Sequence, residues 1–274
     1  MTEDDRWTPL GARLQRIGPR SEQPLNWLFL AGGPGLGSES LASLTTILKL
    51  PGTLWHLDLP GDGSNTTADN KASFSHWQAA LVEAVDSLPH AILAGHSTGG
   101  MYALATPTLE KKIKGLVLMD SAPNADWREP FFKKAQEMAL SEVENWDKIY
   151  RESPNNETLR ELNLASAPYC FTPKGMAAGR ELFNDLPYNF ESCQWSADHF
   201  DDTYQALWIP KELPTLIFAG DQDMICPLST FKKVKEFHRP NILIREIPEA
   251  GHFPWVENPA AVKALFHEYA ERFF

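Results

Sequence analysis

The stretch AILAGHSTGGM at residues 91–101 constrains the fold more than any other part of the chain. A short apolar run passes directly into Ser97, which has glycines two residues before and two residues after it, and a helical pattern follows. Gly95 and Gly99 permit a sharp turn, because larger side chains there would collide with neighbouring backbone. The sequence therefore predicts a strand–turn–helix unit that lifts the Ser97 hydroxyl out of a sheet, at a helix N-terminus. The alternative is that Ser97 belongs to a polar structural loop.

Apolar runs and helical patterns alternate on both sides of this motif. The predicted strands are 26–32, 53–59, 91–97, 115–121, 215–220 and 241–247. Helical spacing is found at 41–50, 73–88, 99–112, 229–238 and 259–274. Buried strands that alternate with helices are typical of a parallel sheet covered on both faces. We therefore predict an α/β protein with a mostly parallel central sheet flanked by helices.

The alternation stops between residues 122 and 208, where helical patterns continue without a convincing strand. We interpret this block as a helical cap inserted into a core made of residues 1–121 and 209–274. The block contains 14 of the 30 aromatic residues, and its 15 acidic and 8 basic residues give it a net charge of −7 out of −11. These aromatic residues either pack beneath acidic, solvated helix faces or line a pocket.

Composition excludes several classes of function. A formal net charge of −11 disfavours nucleic acid as a partner. The chain has no run of about 18 apolar residues, so we expect no insertion into a membrane. The acidic N-terminus MTEDDRWTPLGARLQ does not resemble a signal peptide. The three cysteines, Cys170, Cys193 and Cys226, lack metal-type spacing, so we expect reduced thiols and a cytoplasmic location. The histidines show no HExxH pattern, and we expect neither a metal nor a cofactor.

A serine hydroxyl is a poor nucleophile unless a base accepts its proton. His252 is the predicted base, because it lies between the last predicted strand and the last helix, at the same sheet edge as Ser97. His96 is adjacent to Ser97 in sequence and points the other way from the strand end. We interpret His96 as a packing or orienting residue.

The base in turn needs a carboxylate that orients it. Three aspartates lie at the ends of predicted strands: Asp223 and Asp221 follow the strand 215–220, and Asp120 lies at the end of the strand 115–121. Asp223 is favoured because it reaches around the turn after Gly220. The chain order is then Ser97, Asp223, His252, which is the order associated with α/β-hydrolase sheets.

A tetrahedral intermediate needs backbone N–H donors for its oxyanion. The predicted donors are Thr98, directly after Ser97, and a residue of the glycine-rich loop 31–37. Gly33 is the first choice in that loop and Leu36 the alternative, since Pro34 has no N–H. The loop lacks the GxGxxG spacing and the following lysine of phosphate-binding loops, which disfavours that interpretation.

Five segments in order resemble the α/β-hydrolase superfamily: AGGPG, DLPGDGSN, GHSTGG, GDQD and GHFPWVENP. The resemblance covers nearly the whole chain and implies that fold, with a helical cap and hydrolytic chemistry. Two residues depart from the family pattern, Ala31 and Asp62, each at a place where histidine is common. The GGPG loop resembles proline-iminopeptidase-type members, whereas GHSTGG and DLPGDG look more like general esterases.

These residues predict a serine hydrolase that cleaves a small to medium ester, thioester or amide through an acyl-enzyme. One alternative is an aminopeptidase similar to proline iminopeptidases, in which Glu181 and Glu191 would turn inward to hold a cationic amino terminus. The other alternative is a non-catalytic ligand-binding protein on the same scaffold. The sequence does not indicate an oligomeric state.

Overall fold

The computed structural model describes residues 5–66 and 74–274. Within these residues, eight strands form one sheet in the order β1-β2-β4-β3-β5-β6-β7-β8. The strands are β1 Asp5–Trp7, β2 Arg13–Ile17, β3 Asn26–Leu30, β4 Thr53–Asp58, β5 Ala91–His96, β6 Gly115–Met119, β7 Thr215–Gly220 and β8 Ile242–Ile247. Neighbouring strands from β4 to β8 run parallel, so the predicted α/β architecture is confirmed.

The N-terminal hairpin of β1 and β2 was not predicted from the sequence. β1 pairs antiparallel with β2, and β2 pairs antiparallel with β4. The two strands read DRW and RLQRI, and only Leu14 of these residues is buried. An edge strand of this kind carries charged side chains and gives no continuous apolar run for a pattern to detect.

Helices cover both faces of the sheet. They are α1 Ala42–Ile47, α2 Trp77–Asp86, α3 Thr98–Leu104, α4 Arg128–Met138, α5 Ser141–Glu152, α6 Asn156–Cys170, α7 Met176–Asn184, α8 Phe190–His199, α9 Ser229–Lys232, α10 Pro254–Glu257 and α11 Pro259–Ala270. One hydrophobic cluster includes residues of α2 and α3, and the other includes residues of α1 and α11. The predicted start of the second helix, residue 73, lies outside the described residues.

The sheet brings the proposed chemistry to one edge. The parallel strands β5, β7 and β8 all end at this edge, and the chain then continues into Ser97, Asp223 and His252 respectively. The stretch between β6 and β7 forms α4 to α8, which all lie within the block 122–208 that was predicted to be helical. Among the described residues, no helix combines the length and the apolar character needed to cross a membrane.

Candidate active site

Ser97 occupies the turn between β5 and α3. Its backbone φ is 49° and its ψ is −122°, a conformation that residues other than glycine seldom adopt. The Ser97 N–H donates to the carbonyl of Met119 at 2.8 Å, and the Ser97 carbonyl accepts from the Ser121 hydroxyl at 2.8 Å. These bonds to the β6 end stabilise the strained turn.

The two motif glycines are needed for close approach of backbone, as the sequence predicts. A Cβ added at Gly95 would lie 2.6 Å from the nitrogen of Gly100. A Cβ added at Gly99 would lie 2.4 Å from the carbonyl oxygen of Ala31, in the glycine-rich loop. Real Cβ atoms essentially never make contacts this short, so neither position accepts a side chain without moving backbone.

His252 joins Ser97 to Asp223 in a continuous chain of hydrogen bonds. Its Nε2 lies 3.0 Å from Ser97 Oγ, and its Nδ1 lies 3.0 Å from Asp223 Oδ2. Because a carboxylate only accepts, Nδ1 carries the proton and Nε2 is left to accept from the Ser97 hydroxyl. All three residues are buried. The three predicted residues are therefore brought together in an arrangement suited to proton transfer from Ser97.

The backbone of His252 is also held at both of its polar groups. Its N–H donates to the carbonyl of Cys170, at the end of α6, at 2.7 Å. Its carbonyl accepts from His96 Nε2 at 2.9 Å. Burial, together with the adjacent His252, keeps the pKa of His96 well below its ordinary value. His96 is therefore a neutral residue that orients the His252 loop, in agreement with its interpretation from sequence.

The three candidate aspartates lie in different environments. Asp223 Oδ1 accepts from the backbone N–H groups of Ile225 and Cys226, at 2.9 and 3.2 Å, which leaves Oδ2 for His252. Asp120 is buried behind this group and accepts from the Gly220 N–H. Burial and the charge of Asp223 raise the pKa of Asp120 well above its ordinary value. Asp221 is exposed. The geometry therefore favours Asp223 as the partner of His252.

The glycine-rich loop lies directly against Ser97. A Cβ added at Gly32 would lie 2.4 Å from Ser97 Cβ and 2.9 Å from the Thr98 nitrogen. In the same loop, the Leu36 N–H donates to the Gly33 carbonyl at 3.0 Å. Because the Leu36 N–H is already bonded, the geometry favours Gly33 over Leu36 as an oxyanion donor. Thr98 is the first residue of α3, where backbone N–H groups have no partner within the helix.

Glu257 was not singled out from the sequence, although it ties the His252 loop to the end of α6. Its Oε1 accepts from the Thr172 N–H and hydroxyl at 2.8 and 2.6 Å, and its Oε2 accepts from the Gly251 N–H at 2.6 Å. The residue is buried in α10. No sequence pattern marks such a carboxylate, because two of its three donors belong to Thr172, which is distant along the chain.

An apolar groove of about 410 Å³ lies among α4, α5 and α6. It is lined by Phe131, Phe132, Ala135, Gln136, Leu140, Val143, Glu144, Asp147, Leu162, Asn163, Ser166, Tyr169, Cys170 and Ile225. Cys170 and Ile225 contact the backbone of His252 and the carboxylate of Asp223 respectively. The groove thus reaches residues whose backbone groups hydrogen-bond His252 and Asp223. Some aromatic residues of the 122–208 block therefore line a cavity.

The two cap glutamates do not turn inward. The side chains of Glu181 in α7 and Glu191 in α8 are both exposed. Their exposure does not favour the aminopeptidase alternative, in which they would turn inward; these helices place their apolar residues inward and leave acidic residues in water.

One cluster in the described residues has metal-ligand spacing: atoms of Asp120, Asp223 and His252 lie within 4.8 Å of one another. Both ring nitrogens of His252 are already hydrogen-bonded, Nδ1 to Asp223 and Nε2 to Ser97.

Comparison with known proteins agrees with this fold. The model of the alpha/beta hydrolase family matches residues 27–265. The chain belongs to the alpha/beta hydrolase family. Among relatives of this hydrolase, a Xanthomonas campestris pimeloyl-[acyl-carrier protein] methyl ester esterase is 23% identical over 251 residues, covering 88% of this chain and 94% of the relative. A Mycoplasma pneumoniae protein with an esterase/lipase name is 24% identical, covering 90% and 88%.

A solved structure also shares the fold of this hydrolase. The proline iminopeptidase-related protein from Thermus thermophilus superposes with a TM-score of 0.73 at 18% identity, covering 99% of this chain and 98% of that one. At this level of identity the similarity shows the fold alone.

Proposed function

We propose that the protein is a serine hydrolase that cleaves a carboxylic ester of a small to medium acyl group. The supporting observation is the hydrogen-bonded chain Ser97–His252–Asp223, with 3.0 Å at each link. In this mechanism Ser97 Oγ attacks the acyl carbonyl while His252 Nε2 accepts its proton. Asp223 stabilises the imidazolium, and the Gly33 and Thr98 N–H groups bind the oxyanion.

The proton then passes from His252 to the departing alkoxide, which leaves as an alcohol. A water molecule attacks the acyl-enzyme in the second half of the cycle, His252 again accepting the proton, and the free acid is released. Residues 122–208 act as the cap over this site, with the core formed by 1–121 and 209–274. The apolar groove among α4, α5 and α6 accommodates the acyl chain, since its volume suits a small ligand.

The decisive experiment compares the parent protein with Ser97→Ala. The parent is expected to hydrolyse p-nitrophenyl butyrate and to react covalently with a fluorophosphonate probe. Ser97→Ala removes the nucleophile and is expected to lower kcat by at least about 10³-fold and to abolish labelling, with an unchanged far-UV CD spectrum. A parent protein that neither turns over esters nor reacts with the probe would instead be a ligand-binding protein on this scaffold.

A second candidate, an aminopeptidase, has one observation in its favour. Carboxylates of Glu144 and Asp147 line the groove and could attract a cationic amino terminus. Against it, Asp147 already pairs with Arg151 at 2.9 Å, and Glu181 and Glu191 face solvent. Ester hydrolysis predicts faster cleavage of p-nitrophenyl butyrate than of proline-p-nitroanilide. The reverse order would establish the aminopeptidase.

A further inference from the structure

Two buried carboxylates hold the glycine-rich loop from behind. Asp58, at the end of β4, accepts from the Ser38 N–H at 2.7 Å and from the Ser38 hydroxyl at 3.0 Å. Asp62, four residues later, accepts from the Gly35 N–H at 2.6 Å. Asp58 is fully buried and Asp62 is 3% exposed. The loop between Gly33 and Ser38 is thus fastened at two points to the segment that follows β4.

Gly35 is the point at which the loop is held from both sides. Its N–H donates to Asp62, and its carbonyl accepts from the Asn189 N–H, just before α8, at 2.8 Å. The turn from Gly33 to Leu36 encloses Gly35, so a shift of Gly35 displaces the Gly33 N–H. Ala31, before this turn, has no polar side chain with which to brace it. The Asp62 bond therefore carries a part of the positioning that a polar residue at the loop start would supply.

The two carboxylates differ in their charge partners. Asp58 forms an ion pair with Arg13 at 2.7 Å. Among the described residues, no ion pair involving Asp62 is found; Asp58, Glu39, Tyr102 and Cys193 lie around it, and Arg13 is directed at Asp58. Burial, followed by the charge of Asp58, raises the pKa of Asp62 to about 7, while the N–H groups of Gly35 and Gly63 favour its charged form.

We propose that Asp62 is a positioning residue for the oxyanion hole: through Gly35 it sets the place of the Gly33 N–H beside Ser97, and it does so best as a carboxylate. The proposal rests on the hydrolysis proposed for Ser97. A hydrogen bond to an ionised acceptor is roughly twice as strong as one between neutral groups. Ionisation of Asp62 therefore tightens the loop, so kcat increases as the pH rises through about 7, with little effect on KM.

The test measures kcat and KM for p-nitrophenyl butyrate from pH 5.5 to 9 in the parent, Asp62→Asn and Asp62→Ala. Asparagine keeps an oxygen acceptor for Gly35 but does not titrate, whereas alanine removes the bond. We expect Asp62→Ala to lower kcat at pH 8 by about 10- to 100-fold and to change KM by no more than about twofold. This loss does not exceed the fall in kcat that removal of one oxyanion donor causes. Asp62→Asn recovers the part of this loss that depends on the hydrogen bond and not on the charge.

The ratio of parent kcat to Asp62→Asn kcat isolates the titration, because contributions from His252 are common to both proteins. We expect the ratio to be about 1 below pH 6 and to rise to about fivefold at pH 8. Asp201→Asn is the matched control: burial also raises the pKa of Asp201, which bonds Ser196 and not the loop. We expect the ratio of parent kcat to Asp201→Asn kcat not to change with pH.

Two results would overturn the proposal in distinguishable ways. If the parent neither hydrolyses the ester nor reacts with the fluorophosphonate probe, the proposed function fails and this inference fails with it. If the parent is active but the Asp62→Asn ratio does not change with pH and Asp62→Ala keeps its kcat, only the role of Asp62 is refuted. Should Asp62→Ala fail to fold, the ratio for the isosteric Asp62→Asn decides alone.

Discussion

Ser97 and His252 are held by backbone bonds as much as by side-chain bonds. The positive φ of Ser97 is stabilised by hydrogen bonds to Met119 and Ser121, and both backbone polar groups of His252 are paired. Such fixation matters because proton transfer needs donor and acceptor within about 3 Å and correctly aligned. At the scale of single residues, the site is preorganised by neighbours that do not themselves react.

The first residue-scale prediction separates the two buried aspartates. Asp223→Asn keeps the shape of the side chain but removes the carboxylate that holds the Nδ1 proton of His252, so the imidazole can adopt the wrong tautomer. We expect kcat to fall by about 10³- to 10⁴-fold, measured by steady-state hydrolysis of p-nitrophenyl butyrate.

Asp120→Asn is the matched control for this change. Asp120 is buried close to the same group, but its bonded oxygen accepts from Gly220 and not from His252. Burial and the charge of Asp223 raise the pKa of Asp120 well above its ordinary value, and asparagine keeps the size of the side chain and an oxygen acceptor for the Gly220 N–H. We expect a loss of less than about tenfold. A larger loss for Asp120→Asn than for Asp223→Asn would reassign the catalytic acid.

At the scale of elements, the site depends on how the end of α6 meets α10. Glu257 receives three hydrogen bonds from Thr172 and Gly251, and the adjoining His252 N–H bonds Cys170. Glu257→Gln would place an amide NH₂ group against at least one backbone donor. We expect the free energy of unfolding to fall by about 1–3 kcal/mol, measured by urea denaturation, together with a lower kcat.

An exposed link between the same two segments supplies the control. Lys174 and Glu249 form an ion pair at 3.1 Å with both side chains largely in water. Because exposed pairs contribute little, Glu249→Gln is expected to change stability by less than about 1 kcal/mol. Equal effects of the two substitutions would show that the burial of Glu257 has no special importance.

The groove among α4, α5 and α6 makes a prediction about substrate charge. The charged residues that line it are Glu144 and Asp147, and its other walls are mostly apolar. An acyl chain with a terminal carboxylate would meet like charge there, which disfavours binding. We expect kcat/KM for p-nitrophenyl hexanoate to exceed that for the p-nitrophenyl half-ester of adipate by about five- to tenfold, since an exposed like-charge contact is worth about 1 kcal/mol.

The double variant Glu144→Gln/Asp147→Asn is expected to raise kcat/KM for the anionic ester severalfold and to leave the neutral ester unchanged. Glu142→Gln, an exposed residue on α5 outside the groove, serves as the control and changes neither. A parent protein that prefers the anionic ester would mean that the acyl chain does not contact these carboxylates.

For the whole molecule, the sequence predicted what local patterns encode. The parallel strands and the order of Ser97, Asp223 and His252 follow from apolar runs and turn residues, and the predicted bounds of β7 agree with the structure. The hairpin of β1 and β2 was missed because its strands are polar. Glu257 was missed, and Asp62 was noted only as a departure, because their bonds join segments far apart in sequence. Whether Glu181 and Glu191 turn inward was left open by the sequence, because helical spacing alone does not fix which way a side chain at the edge of a helix face points.

Two buried groups near the sheet end give the molecule opposite responses to pH. Burial lowers the pKa of His56 to about 4, and burial with Asp58 raises the pKa of Asp62 to about 7. Between about pH 4 and 6.5 the unfolded chain protonates His56 and the folded chain does not, so His56 makes stability fall as pH falls. Asp62 stays protonated only in the folded chain between about pH 4 and 7, so it makes stability fall as pH rises.

Each contribution appears when one of the two groups is replaced and the variant is compared with the parent by urea denaturation. Asparagine does not titrate, so Asp62→Asn removes the fall in stability that Asp62 causes as the pH rises. The variant therefore gains stability over the parent as the pH rises from 4 to 7, by up to about 4 kcal/mol. His56→Gln gains stability over the parent as the pH falls from 6.5 to 4, by up to about 3 kcal/mol in the free energy of unfolding. Because the two slopes have opposite signs, they cancel in the parent over their shared range. If either difference did not change with pH, that group would titrate at its ordinary value in the folded protein.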